Sequence, residues 1–168
     1  ADIYQDQGLT DREIAVFLKL NGIPSHGQKL LDLACGVGRH GIELAKLGAN
    51  VVGVDYSMGF LDIAQKRARE LGANVQFLQA DARNLPFADE LFPVVTMFGN
   101  SFGFFGEEDN FNVIQEVARV TAVGGRFTLD INEKERFLAT MKPYSRYVVN
   151  THSFGMVLDE RHREWDPS

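Results

Sequence analysis

Three stretches carry residues whose types and spacing suit ligand chemistry: Asp32-Leu33-Ala34-Cys35-Gly36-Val37-Gly38-Arg39-His40-Gly41, Asp55 with Tyr56, and Asp81 with Ala82. Gly36 and Gly38 permit a tight turn and let a ligand lie against bare backbone. A helix starting there would offer free amides. Asp55 stands 19 residues after Gly36, where a carboxylate can accept hydrogen bonds from both hydroxyls of a ribose. Phe98-Gly99-Asn100-Ser101 follows a further apolar run and forms a fourth candidate strand end.

For these residues to meet, the chain must bring four strand ends to one rim, and the hydrophobic pattern provides for that. Thr10-Asp11-Arg12-Glu13 reads as a capping box, followed by an apolar face of Ile14, Phe17, Leu18 and Leu20 and a stop at Asn21-Gly22. Strands are expected at 29–34, at 50–54 ending on Asp55, at 74–78 ending near Asp81, at 93–98 and at 126–130. Helices are expected at 39–47, at 58–71 capped by Ser57, and at 110–121 with Phe111, Ile114, Val117 and Ala118 inward. Such alternation makes an α/β, doubly wound, mostly parallel sheet with right-handed crossovers. Its ligands sit outside the carboxyl ends of the strands, where strand order reverses. Beyond Asp130 the character changes: 132–141 suits one more helix, and 144–150 with 154–161 suits a polar antiparallel hairpin outside the main sheet. Residues 1–130 are thus expected to form the binding domain, with 131–168 outside its sheet.

With 168 residues, 45% of them hydrophobic, one core is expected. The net charge of −6 argues against nucleic acid as a partner, which needs a basic face. The single cysteine, Cys35, has no partner for a disulfide. It reads as a packing residue, and no Cys or His spacing suits a metal. No apolar run reaches the roughly 20 residues of a membrane span, so a cytoplasmic location is expected. The pattern gives no sign of oligomeric state.

Taken together, the motifs resemble the class I S-adenosylmethionine-dependent methyltransferases, in particular the small-molecule branch with a single Rossmann-like domain. The resemblance rests on 31–39, on Val52-Gly53-Val54-Asp55-Tyr56-Ser57, on Gln79-Ala80-Asp81-Ala82, and on Gln115-Glu116-Val117-Ala118-Arg119-Val120 leading to Gly124-Gly125-Arg126-Phe127. It covers about residues 10–130. It implies strand order 3-2-1-4-5, S-adenosyl-L-methionine as cofactor, a small-molecule methyl acceptor, and a partial lid or substrate-side insertion of the same domain at 131–168. Asp32, Ala34, Gly36 and Gly38 would shape the turn around the methionine part. Asp55 would hold the ribose, and Tyr56 would pack on the adenine. Asp81 would accept from the adenine amine and Ala82 would supply an amide, while the Phe98 backbone would lie beside the sulfonium. Ala34 replaces a glycine common in the family, the proline usual before the Gly-Gly pair is absent, and the family's last two strands are not found before the hairpin.

Gly36-x-Gly38-x-x-Gly41 followed by an acidic residue also matches the dinucleotide fingerprint. An NAD-dependent oxidoreductase is therefore the alternative, although no Tyr-x-x-x-Lys pair accompanies it. A non-catalytic S-adenosylmethionine-binding protein, or a fragment, is a third reading. Asp32 could instead bond locally, and His40 reads as a surface or helix-start residue. Seven of the thirteen phenylalanines fall between Phe87 and Phe111. Phe87 and Phe92 suit the core, whereas Phe102, Phe104 and Phe105 equally suit an apolar substrate wall. Asn100, Ser101 and His152 border the expected pocket, but nothing selects a catalytic base among them.

Overall fold

The computed structural model describes residues 7–131 together with the strands at 144–151 and 155–162. Its elements are α1 (Gln7–Asn21), β1 (Lys29–Leu33), α2 (Arg39–Lys46), β2 (Asn50–Asp55), α3 (Met58–Glu70), β3 (Val75–Gln79), β4 (Phe92–Met97), α4 (Glu107–Val120), β5 (Thr121–Leu129), β6 (Tyr144–Thr151) and β7 (Gly155–His162). The first five strands form one parallel sheet in the order β3-β2-β1-β4-β5. Strand order therefore reverses between β1 and β4, as the family resemblance implies. β6 and β7 form their own antiparallel sheet, from Tyr144 opposite His162 to Thr151 opposite Gly155. The expected helix at 132–141 and His152 lie outside the described residues.

Central strands of a parallel sheet are covered on both faces, so they read as nearly continuous apolar runs. β1 is buried from Leu30 to Leu33. Alternate side chains split between two cores, because successive residues of a strand point to opposite faces. Leu30 joins Ile14, Phe17, Leu44, Val51, Val94 and Phe98 under α1 and α2. Leu31 and Leu33 join Val54, Val95, Met97, Val113, Val117 and Val120 under α4. Both leucines are completely buried, and truncating either to alanine would cost about 2–5 kcal/mol. Asp32 shares the parity of Leu30, so its carboxylate is driven into the interior beneath α2.

The helices differ from expectation in how they face the sheet. α1 already begins at Gln7, so Thr10 is no cap; it is buried, and its hydroxyl accepts from Arg39 Nη1 at 3.2 Å. Glu13 bonds Arg39 and His40 in place of a backbone amide, because Arg39 brings a full opposite charge to its carboxylate. Leu20 is exposed, and so is Leu71 after α3, which Ser57 caps as expected by accepting from the Phe60 amide at 3.3 Å. α4 buries Val113, Val117 and Val120 rather than Phe111, Ile114 and Ala118. The cause is the pair Glu116 and Arg119. Glu116 accepts from the Leu85 amide at 2.6 Å, and Arg119 donates to the Leu85 and Phe87 carbonyls at 2.9 and 2.7 Å. Anchoring the 85–89 loop fixes the roll of the helix and turns the neighbouring stripe inward.

β5 starts at Thr121, opposite Phe92, but its continuous pairing with β4 runs from Arg126 to Leu129 as expected, and Gly124-Gly125 lies in the stretch before it where the register shifts. Gly124 has φ 74°, and a Cβ on Gly125 would meet the Ala122 carbonyl at 2.7 Å and the Pro93 carbonyl at 2.9 Å.

Candidate functional site

The site is built where β1, β2, β3 and β4 stop together. Leu33 pairs with Val54 and Asp55 with Gln79, so Cys35–Gly38, Asp55–Ser57 and Ala80–Arg83 leave the sheet along one rim. Bonds between these loops tie them to one another. The Cys35 amide donates to the Val54 carbonyl at 2.9 Å, the Ala80 amide to the Asp55 carbonyl at 3.2 Å, and Gln79 Nε2 to the Tyr56 carbonyl at 2.9 Å.

Within the glycine loop, the three glycine amides already have partners inside the chain. Gly36 donates to Asp55 Oδ2 at 2.8 Å, Gly38 to the Cys35 carbonyl at 2.9 Å and Gly41 to Asp32 Oδ2 at 3.0 Å. Asp55 Oδ1 takes the Ser57 amide at 2.8 Å. Asp32, 1% exposed, also accepts from the Thr96 hydroxyl at 3.1 Å, and burial pushes its pKa up to about 6. It therefore shapes the loop from below. Gly36 has φ 54° with open space where a Cβ would point, as a ligand cradle requires. Gly38, with φ 75°, is closed: a Cβ there would touch the Phe77 ring at 3.0 Å and Ala64 at 3.1 Å. Ala34 adopts φ 54°, the left-handed region that favours glycine, which explains the glycine common at this place in the family it resembles.

At the other strand ends, Tyr56 is 75% exposed, so one ring face is open to stack. Asp81 is gripped by Arg83, whose Nε reaches Oδ1 at 3.0 Å and whose Nη2 reaches Oδ2 at 2.7 Å. Those bonds hold its pKa below the usual carboxylate range. Ala82 occupies the turn closed by the Asn84 amide on the Asp81 carbonyl at 3.0 Å, and its methyl rests on the main core. Phe98 is buried between Phe17 and His40, its ring centre 4.4 Å from the imidazole. Its carbonyl accepts from Ser101 Oγ at 2.7 Å.

A family profile described as a methyltransferase domain matches residues 30–125. The chain belongs to the class I S-adenosylmethionine-dependent methyltransferases. The demethylmenaquinone methyltransferase of Corynebacterium kroppenstedtii is 42% identical over 106 residues, covering 63% of this chain and 42% of that protein. That of Thermus thermophilus is 40% identical over 120 residues, covering 70% and 52%. The chain thus spans about half the length of these curated relatives. Among solved structures, the PH0226 protein of Pyrococcus horikoshii superposes with a TM-score of 0.74 at 31% identity, covering 94% of this chain and 77% of that one.

S-adenosylmethionine is the cofactor of this methyltransferase domain, and the donor set suits it. The rim carries the carboxylates of Asp55, Asp81 and Asp130 and the open backbone at Gly36, which match hydroxyls, an amine and a cationic sulfur. Asp130 is a member the sequence reading passed over: its Oδ2 accepts from the Gly99 amide at 3.1 Å and so holds the loop after β4. Arg83 was also missed, although a cation two residues beyond a strand-end aspartate is a readable sign.

His40 corrects its expectation in one respect. It does stand at the start of α2, but it is buried, with Nε2 2.8 Å from Glu13 Oε2. Burial, and the Arg39 charge beside it, pull its pKa down to about 4, so it is neutral at neutral pH. Burial would raise Glu13, yet the bonds from Arg39 and His40 and the Arg39 charge outweigh it and leave its pKa below the ordinary value. Cys35 is buried, and burial together with Asp32 and Asp55 drives its thiol upward, in keeping with packing rather than nucleophilic work. His26 is exposed. Among the described residues no three of His, Cys, Asp and Glu gather as metal ligands would, and no helix is long and apolar enough to cross a membrane.

Proposed function

We propose that the domain transfers a methyl group from S-adenosylmethionine to a small, flat, apolar acceptor of the quinol class. The single observation that carries the cofactor choice is that the amides of Gly36, Gly38 and Gly41 are already taken within the chain. A dinucleotide places its pyrophosphate on amides at this loop and on the following helix start. Here Asp55, the Cys35 carbonyl and Asp32 take those of Gly36, Gly38 and Gly41, which disfavours NAD. For the acceptor, support comes from the names of the relatives and from Phe104 and Phe105, which stand exposed in the loop after β4.

When bound, the cofactor supplies an electrophilic methyl group on a positive sulfur. The chain's part is to position and to exclude water, and effective molarity alone can contribute about 7–11 kcal/mol. In this reading Asp55 takes the ribose hydroxyls through the lone pairs left by its two amide bonds. Tyr56 covers one face of the adenine, Asp81 accepts from the adenine amine, and Ala82 offers its amide to the ring. The Phe98 carbonyl and the turn from Ala34 to Gly38 line the methionine end.

Calorimetric titration with S-adenosylhomocysteine, S-adenosylmethionine and NAD in parallel tests the cofactor. Binding of the first two, weakened at least tenfold in Asp55→Ala, is expected; binding of NAD alone overturns the reading. Transfer of labelled methyl to a reduced, short-chain demethylnaphthoquinone then tests the acceptor. Binding without transfer to any quinol would favour a non-catalytic binding protein.

A further inference from the structure

Asp81 does not stand alone at the end of its loop. Arg83 holds it by a two-pronged fork, with Nε 3.0 Å from Oδ1 and Nη2 2.7 Å from Oδ2, while the Arg83 amide also donates to Oδ1 at 2.9 Å. The third nitrogen of the same guanidinium, Nη1, reaches Asp109 Oδ2 at 2.6 Å in the first turn of α4. Its central carbon lies 4.6 Å from the centre of the Phe105 ring. Each charged side chain of the network is about a third exposed or more, from 30% for Asp81 to 42% for Asp109. Ion pairs so exposed add little to stability. A rigid fork on three partners, however, fixes where a carboxylate points.

We propose that Arg83 is a positioning residue that sets the aim of the Asp81 carboxylate from α4 and Phe105, and so determines which base the nucleoside pocket accepts. The proposal rests on the reading that Asp81 meets the adenine amine. A carboxylate held in one rotamer presents a remaining lone pair in a fixed direction. An exocyclic amine there gains a hydrogen bond, whereas a 6-oxo group meets an oxygen with no hydrogen between them. Released from the fork, the carboxylate turns about χ1 and χ2 and meets either base less selectively. Because Arg83 takes its bearing from Asp109, the choice of base is made partly by a residue 28 positions beyond Asp81 in the chain.

The experiment compares the affinity of S-adenosylhomocysteine with that of its 6-oxo analogue, S-inosylhomocysteine, in the wild type, Arg83→Met, Arg83→Lys, Asp109→Asn and Asp81→Ala, with thermal unfolding measured alongside. The wild type is expected to favour the adenine compound at least tenfold, and Asp81→Ala to abolish the preference. Arg83→Met should lower the ratio at least threefold while the melting temperature moves by no more than a degree or two. Arg83→Lys, which keeps the charge but loses the fork, should resemble Arg83→Met, and Asp109→Asn should fall between Arg83→Met and the wild type. A wild-type ratio in Arg83→Met or Arg83→Lys overturns the positioning role even if Asp81→Ala abolishes discrimination. A wild-type ratio in Asp81→Ala overturns the base assignment itself, and the proposal with it.

Discussion

Asp32 and Thr96 face each other across the β1–β4 pair, with the threonine hydroxyl 3.1 Å from the carboxylate and neither residue more than 1% exposed. The second carboxylate oxygen takes the Gly41 amide, so a single acid joins two strands to the start of α2. Burial raises its folded pKa to about 6, above the 3.8 of the unfolded chain. The folded state therefore binds this proton more tightly. The stabilisation is full below pH 3.8 and is lost as the pH climbs through about 6. In Asp32→Asn the amide can still accept from Gly41 and donate to Thr96, but it does not titrate. The stability gap between wild type and variant, from urea unfolding, should shift by about 2–3 kcal/mol between pH 4 and 7, to the disadvantage of the wild type at the higher pH. A gap independent of pH would remove the charge from this account.

His40 runs the other way. Its folded pKa of about 4 lies below the 6.5 of the unfolded chain, so the folded state resists protonation. Its contribution to stability is present above pH 6.5 and is lost as the pH falls toward 4. Replacing it with the neutral His40→Gln should abolish that loss, changing the wild-type-to-variant gap by about 3 kcal/mol over the same range. Through pH 4–6 the two groups nearly cancel. The wild type should accordingly show a flatter acid profile than either single variant.

Phe77 lies against Gly38 and Gly53 at once, and a Cβ on Gly53 would come within 2.8 Å of its ring and 3.1 Å of Cys35 Sγ. Gly53→Ala should cost about 1–3 kcal/mol as an overpacked contact. Adding Phe77→Leu should recover part of that loss, because the smaller side chain vacates the space. Equal destabilisation in the single and double variants, measured by denaturant midpoint, would assign the cost elsewhere.

Ala34 is the simplest target for stabilisation. At φ 54° it carries the left-handed penalty of a Cβ, about 1–2 kcal/mol, against the smaller entropic cost of glycine. Ala34→Gly should raise stability by up to about 1 kcal/mol and leave S-adenosylhomocysteine binding intact. A lower melting temperature would show that the methyl's contact with the main core matters more than its backbone angle.

The sheet was legible because its central strands β1, β2 and β4 are short, mostly apolar runs followed by glycine or aspartate, and because the motifs fall on strand ends. Asp55 and Gly36 were readable from their spacing as members of one rim, but the bond between them was not. Helix faces were less readable. On α4, Phe111 and Ile114 outrank Val113 in size, yet what sets the roll of that helix is the bonding of Glu116 and Arg119 to a distant loop. Val113, Val117 and Val120 do form an apolar stripe at helical spacing, but it stands beside a rival stripe through Phe111, Ile114 and Ala118, and spacing alone does not choose between the two. Thr10 and Glu13 had a capping pattern, but their partner, Arg39, comes from another helix. His40 was misread because its burial depends on α1 and Phe98, which sequence places far away.

The glycine loop reaches its final hydrogen bonding with partners supplied by the chain itself, through Asp55, Asp32 and the Cys35 carbonyl. A ligand arriving at this rim has no loop to condense around itself, and the entropy of ordering was surrendered when the domain folded. Association with this loop starts from a preformed surface, and the loop itself need not unfold for the ligand to leave. Its share of the residence time is then set by its contacts with the ligand.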